Sequence, residues 1–131
     1  MVDRAEVEQL LKRLYAARVG GRLDELCALF SAQANFRIAG ASDGKPIALA
    51  AQGREAIRPW LAMMVKTFKL ARHEILTTLI DGERGAVRWR ADIHSRITGA
   101  VVATELVDMI EVADGEISAY IEYFVPTTSK G

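Results

Sequence analysis

Three turn dipeptides, Asp81-Gly82, Thr98-Gly99 and Asp114-Gly115, cut the chain beyond Arg72 into four strand-length runs. Dipeptides of this kind between alternating residues mark tight hairpins. The run Ala86–Ser95 alternates most clearly, with Val87, Trp89, Ala91 and Ile93 set against Arg88, Arg90, Asp92 and His94. With His73–Ile80, Ala100–Val112 and Glu116–Val125 it forms an antiparallel meander.

The earlier part of the chain is helical in pattern. Asp3 and Glu6 make a D-x-x-E start, and Val7, Leu10, Leu11 and Leu14 follow at helical spacing. Arg18 alone breaks this apolar stripe, and Gly20-Gly21 ends the helix. Leu23, Leu26, Cys27 and Phe30 fit one side of a second, short helix. Ala34–Ile38 reads as a strand, Gly40–Gly44 as a loop, and Ile47–Gln52 as a short strand or irregular segment. A third helix begins near Gly53, its apolar stripe being Ile57, Trp60, Leu61, Met64 and Phe68. Pro59 falls beyond its first turn, which predicts a kink or a later start. Helices first and a meander after is an α+β order, in which three N-terminal helices cover one face of the sheet. No repeat or linker interrupts the 131 residues, so a single domain is expected, with a loose tail from Thr127.

Charge narrows the partners. Lys+Arg and Asp+Glu are equal at 17 each. Nucleic acid and an electrostatic membrane anchor both need a basic excess, so neither is expected. A near-neutral surface is less protected from self-association. Cys27 is the only cysteine and sits among Leu26, Leu29 and Phe30, which reads as a buried structural thiol in a reducing compartment. No apolar run of about 18 residues suits a membrane span, and the charged start at Asp3-Arg4 is unlike a signal peptide. A soluble, cytoplasmic protein is expected.

The layout resembles the nuclear-transport-factor-2-like superfamily, in particular its SnoaL-like and ketosteroid-isomerase-like members. The residues that carry the resemblance begin with Leu14-Tyr15-Ala16-Ala17, Arg22-Leu23-Asp24-Glu25-Leu26, Ala28-Leu29-Phe30 and Gly53-Arg54-Glu55-Ala56-Ile57. Val87-Arg88-Trp89-Arg90-Ala91, Val107-Asp108-Met109-Ile110, Asp114-Gly115-Glu116-Ile117 and Glu122-Tyr123-Phe124 complete it. The resemblance implies a cone-shaped fold on a strongly curved sheet, with a pocket closed by helices and often a homodimer built through the sheet. It is poor in function, because this superfold hosts isomerases, cyclases, dehydratases, epoxide hydrolases and non-enzymatic binders.

Asp108 is the most informative residue. Thr104, Leu106, Ile110 and Val112 share its strand face. A carboxylate in an apolar stripe is costly to bury ionised, so it stays protonated or finds a partner. A protonated buried acid can donate a hydrogen bond to a developing oxyanion, as in ketosteroid isomerase. The resemblance puts Asp108 at that family's oxyanion-binding acid and Glu122 at the catalytic carboxylate of SnoaL-type cyclases and limonene epoxide hydrolase. Two such carboxylates in one apolar pocket push their pKa values apart, the arrangement for an acid and a base. The structural alternatives are an Asp bonded to backbone and a Glu on the exposed or dimer face. The last turn decides between them for Glu122. A three-residue loop, Ala113-Asp114-Gly115, puts Asp108, Tyr120, Glu122 and Phe124 on one face, whereas a two-residue loop turns Glu122 away. The three-residue loop is expected.

The resemblance also has departures. Counting back from Gly21 puts Leu14 at the ketosteroid-isomerase tyrosine, with Tyr15 about 100° away around the helix. Ile38 stands at that family's base, so proton transfer would run through Glu122. Arg90 and Asp92, with Glu122, resemble the water-activating set of limonene epoxide hydrolase and form an alternative catalytic group. Expected pocket walls are Tyr15, Phe36, Trp60, Met64, His73, Trp89, Leu106, Ile110, Tyr120 and Phe124. His73 opens its strand at the pocket rim, and His94 is exposed beside its hairpin. No metal-ligand spacing or phosphate loop appears, so no metal or cofactor is expected. The leading expectation is a cofactor-independent isomerase, cyclase or dehydratase acting on a small apolar carbonyl- or hydroxyl-bearing compound. The other is a non-catalytic ligand-binding or dimerisation module.

Overall fold

Asp3 caps the first helix, α1 (Arg4–Gly20), by accepting the Glu6 N–H on Oδ1 at 2.9 Å. Gly21 closes it from the left-handed region at φ 69°. These are the stops and starts that the D-x-x-E and Gly-Gly signals predict. The computed structural model describes residues 3–42 and 44–127. Residues 128–131 of the expected loose tail lie outside that range.

After α2 (Leu23–Ala28), Phe30 opens β1 (Phe30–Ser42) instead of completing the helix. The expected loop at Gly40–Gly44 is strand as far as Ser42, which pairs with Lys45 of β2 (Lys45–Gln52). Asp43 lies outside the described residues. The next helix, α3 (Arg54–Ala62), starts as Gly53 predicts and carries Pro59 inside it. Proline removes one backbone donor. Beyond it the chain widens into a π-helical turn, Met63–Thr67, where a kink or a later start was expected.

The meander is β3 (Phe68–Asp81), β4 (Arg84–Ser95), β5 (Val101–Ala113) and β6 (Glu116–Pro126). All six strands form one curved, unclosed sheet in the order β2-β1-β6-β5-β4-β3. The β1–β6 pairing is parallel and the others antiparallel. The helices cover its inner face. On β4 the alternation holds as read, with Val87, Trp89 and Ala91 buried and Arg88 and Arg90 exposed. A glycine at position 40 leaves room for the Phe124 ring, which an added Cβ would strike. No helix among the described residues is long and apolar enough to cross a membrane.

The last hairpin corrects the expected loop. Ala113 pairs with Glu116, so the turn has two residues, Asp114 and Gly115, both left-handed at φ 54° and 78°. That is the primed turn whose twist suits a hairpin. Alone it would point Glu122 outward. Two positions later, however, Glu111 pairs with Ala119 while Val112 pairs with Ile117. Ser118 is the extra residue of a β-bulge, and its Oγ donates to the Glu111 carbonyl at 3.2 Å. The bulge restores the side-chain phase that the short turn removes, so Tyr120 and Glu122 face inward.

Deleting Ser118 is therefore predicted to reverse every side chain from Ala119 onward and abolish cooperative urea unfolding. Ser118→Ala should keep the register and cost about 0.5–1.5 kcal/mol.

Candidate active site

Asp108 and Glu122 are direct register partners on β5 and β6. Both side chains point into the space under the helices, Asp108 with no exposed surface and Glu122 with 5%. Above them α1 presents Tyr15 and Arg18. Three residues of helix rise about 4.5 Å, close to the roughly 4.5–5.5 Å between paired antiparallel residues. One step along α1 thus matches one step across the sheet.

The contacts follow that match. Tyr15 Oη donates to Asp108 Oδ2 at 2.6 Å, and Trp89 Nε1 donates to the same oxygen at 2.8 Å. Arg18 Nη1 forms a hydrogen-bonded ion pair with Glu122 Oε1 and donates to Tyr120 Oη at 3.0 Å. Tyr120 Oη in turn donates to Glu122 Oε1 at 3.2 Å. The Arg18 guanidinium carbon lies 4.9 Å from the Trp89 ring centre, a cation–π contact, and its Nη1 lies 3.8 Å from Asp108 Oδ2.

Burial sets the charges. It pushes the Asp108 carboxyl well above 3.8, and the neighbouring Glu122 charge pushes it the same way. Arg18 and the Tyr15 hydrogen bond oppose this without cancelling it. Burial also works against the Arg18 charge, but Glu122 leads the groups that hold its pKa above the ordinary value. Burial raises both Tyr15 and Tyr120, which keeps their hydroxyls as donors. One cation and one anion therefore sit beside a neutral acid. Asp108 Oδ2 already accepts two hydrogen bonds, and a hydrogen bond with Glu122 adds to the burial that keeps the proton on Asp108.

Arg18, a break in the apolar stripe of α1, is the cation of the cluster. Its signal was its position three residues after Tyr15 and four after Leu14, on one helical face. Counting put Leu14 at the tyrosine position and turned Tyr15 away, yet Tyr15 is the residue that meets Asp108. Ile38 lies beside Glu122 on β1 and is buried.

The expected pocket walls divide into two groups. Tyr15, Phe36, Met64, Trp89, Leu106, Ile110 and Tyr120 are buried in the core, with Phe36 stacked on Tyr120 at 5.6 Å between ring centres. Trp60, His73 and Phe124 are half-buried at its margin. Arg18 lies over the two carboxyls. Cavities of about 540 and 550 Å³ lie elsewhere, one at β3 and one around Leu79, Met109 and Tyr123.

The alternative catalytic group does not assemble. Arg90 and Asp92 point away from Glu122, on the opposite face of the sheet, because Trp89 and Ala91 take the core side of β4. Arg90 donates to Glu74 Oε1 at 2.7 and 3.0 Å, and Asp92 lies 3.6 Å from Arg72. His73 does not open its strand, since β3 begins at Phe68, and His94 is half-buried instead of exposed. Cys27 is a buried free thiol, with its pKa raised by burial. Among the described residues no group of three or more His, Cys, Asp or Glu could hold a metal ion.

The family model described as the SnoaL-like domain matches residues 11–120. No curated protein matches the sequence. A crystal structure from Bacillus subtilis, provisionally assigned as an isomerase, superposes with a TM-score of 0.79 at 21% identity over 95% of this chain and 89% of that one. An NTF2-like protein from Burkholderia xenovorans LB400 gives 0.76 at 20% identity, over 95% and 92%. An LEH-like epoxide hydrolase from M. tuberculosis gives 0.70 at 16% identity, over 92% and 83%. At these identities the likeness is one of fold.

Two predictions follow from the charges. In the folded chain Asp108 keeps its proton well above 3.8, and in the unfolded chain it loses it near that value. Its contribution to stability is fully present below about pH 4 and falls as pH rises toward the folded pKa, by up to about 1.4 kcal/mol per pH unit. Asp108→Asn mimics the protonated acid and does not titrate. Urea denaturation between about pH 4 and pH 7 should therefore show the variant gaining on the wild type; a gap that moves the other way would contradict the neutral acid. Arg18→Met leaves Glu122 buried without its cation and should cost about 3–5 kcal/mol. Adding Glu122→Gln should recover most of that loss.

Proposed function

The chain belongs to the SnoaL-like domain family, and from that premise we propose that the buried cluster is the active site of a cofactor-independent acid–base enzyme. Its substrate is a small, mostly apolar compound bearing a carbonyl or hydroxyl, and its reaction is an isomerisation, cyclisation or dehydration in the cytoplasm. One observation carries this reading: a neutral acid and an ion-paired carboxylate lie side by side in the buried interior, each fixed through one oxygen. Asp108 is tied through Oδ2 and Glu122 through Oε1.

In the carbonyl case, the Asp108 O–H donates to the substrate oxygen. Glu122 Oε2 takes a proton from the adjacent carbon, the C–H electrons move into the carbonyl, and negative charge develops on oxygen next to the acid. Returning the proton to another carbon completes an isomerisation. Arg18 holds Glu122 in place and lies close enough to Asp108 to favour the developing charge. Tyr15 and Trp89 fix the acid's orientation. Trp60 and Phe124, half-buried at the margin, are the side chains that move to admit the substrate.

A second reading, a non-catalytic module that pairs with itself, is supported by the outer face of the sheet. Leu79, Ala86, Met109 and Ile121 run across four strands in register, with Val107 and Tyr123 in the next row. Leu79, Met109 and Tyr123 are exposed. A homodimer through this face is compatible with either reading.

In a screen of small carbonyl compounds, Asp108→Asn and Glu122→Gln should each lower turnover about 10²–10⁴-fold while circular dichroism and cooperative melting stay native. Arg90→Ala should retain the wild-type rate. Wild-type turnover in either carboxyl variant would overturn the acid–base reading. Sedimentation at high micromolar concentration should show a dimer that Met109→Glu dissociates.

A further inference from the structure

β3 breaks its register between Ala71 and Glu74, with Arg72 in the left-handed region at φ 55°. A residue other than glycine is strained there, and such strain collects at functional sites. The bulge aims His73 at the core. Its ring lies 5.1 Å from the Trp89 ring and 5.6 Å from the Tyr15 ring, centre to centre. The Arg18 guanidinium carbon lies 4.9 Å from the centre of the same Trp89 ring. Two nitrogen head groups therefore pack on one indole, beside the side chains that donate to Asp108.

Each head group has a nitrogen to spare. The Arg18 side chain is more than nine-tenths buried, and its Nη1 is committed to Glu122 and Tyr120. Its buried Nε has no hydrogen-bond partner among the described residues, and neither has the buried Nε2 of His73. Tyr15, Trp89 and Tyr120 all have theirs. Native interiors leave few buried polar atoms unpaired, because each gives up its bonds to water. The two nitrogens are also chemically complementary. Arg18 Nε–H can only donate. His73 is neutral, because burial first and the Arg18 charge second hold its pKa below the ordinary histidine value, and a neutral imidazole nitrogen can accept. A hydroxyl serves both, accepting from Arg18 and donating to His73. A carbonyl can only accept. A carboxylate has no proton to give, and it would set a second anion beside Glu122 against one cation.

We propose that Arg18 Nε and His73 Nε2 form a hydroxyl-binding subsite, and that the substrate is a hydroxylated carbonyl compound. The subsite rests on the acid–base reading only for the place of the reacting carbonyl, at Asp108. Arg18 Nη1 lies 3.8 Å from Asp108 Oδ2, and Nε shares its guanidinium carbon, so the two substrate oxygens are a few bonds apart. Asp108 has no exposed surface, whereas His73 is half-buried and lines the cavity of about 540 Å³ at β3. The carbonyl thus enters first, and the hydroxyl is held on the side nearer the surface.

Affinity for three ketones tests this without any turnover. Diacetone alcohol and methyl isobutyl ketone differ by one hydroxyl, and levulinate is a ketone of similar length with a carboxylate. By NMR titration at about pH 8, diacetone alcohol should bind at least about tenfold tighter than methyl isobutyl ketone, and levulinate no tighter. His73→Phe keeps a ring against Tyr15 and Trp89. In this variant the hydroxyl advantage should vanish, while the affinity for methyl isobutyl ketone changes less than about twofold. His73→Gln, which can still hydrogen-bond, should keep part of the advantage. Arg18→Lys keeps a cation for Glu122 but has no Nε, and should lose it. Equal affinities of the two neutral ketones for the wild type would overturn the subsite. So would an advantage that survives His73→Phe, tightest binding by levulinate, or no binding of any of the three at tens of millimolar. A hydroxyl advantage alongside wild-type turnover in Asp108→Asn would strike the acid–base reading and leave the subsite standing. Lost turnover in that variant without the advantage would do the reverse.

Discussion

The buried ion pair between Arg18 and Glu122 is the constraint on which the rest of the site depends. Both side chains are at least nine-tenths buried. Removing two charges from water costs several kcal/mol per ion, and the cost is offset only when each charge meets the other in good geometry with its remaining groups bonded. Tyr120 supplies one such bond to each partner, and the Trp89 ring supplies a face for the guanidinium. One cation neutralises one anion, and the adjacent Asp108 then cannot ionise without leaving the interior with an excess negative charge. The neutral acid is a consequence of the pair as much as of its own burial.

This arrangement makes demands on the backbone. Asp108 and Glu122 must be register partners facing inward, and Tyr15 and Arg18 must lie one helical step apart above them. The Asp3 cap and Gly21 fix the length of α1, while the Ser118 bulge fixes the phase of β6. On β3 the Arg72 bulge turns a histidine toward the same cluster. Two of the sheet's irregularities therefore sit where the site needs a side chain that regular alternation would have sent outward. In this fold curvature and chemistry use the same device.

Much of this was legible in the chain. The helix caps, the alternation on β4 and the turn dipeptides are local signals that the surrounding structure reinforces. Asp108 was legible as a buried acid because Leu106 and Ile110 flank it at strand spacing. The facing of Glu122 was not, because a two-residue turn with a bulge and a three-residue loop leave the strand in the same phase. The inward facing was read correctly from the wrong loop. Arg18 was hidden for a different reason. A charge within an apolar helical stripe reads as a break until its partner is known, and Glu122 is 104 positions away. Tyr15 was legible as a pocket wall, whereas its hydrogen bond to Asp108 was not, because counting put Leu14 at the tyrosine position and the partner lies 93 positions away. The outward facing of Arg90 and Asp92 was, by contrast, already written in the alternation of β4.

The neutral state of Asp108 is open to direct measurement. Its side-chain carboxyl carbon, assigned with Asp108→Asn, can be followed by NMR as pH is raised. The buried pair predicts that the resonance stays at its protonated position to well above the value of about 3.9 at which a free aspartate titrates. A transition near or below that value would mean that the interior carries two anions against one cation, and the neutral-acid account of this site would be wrong.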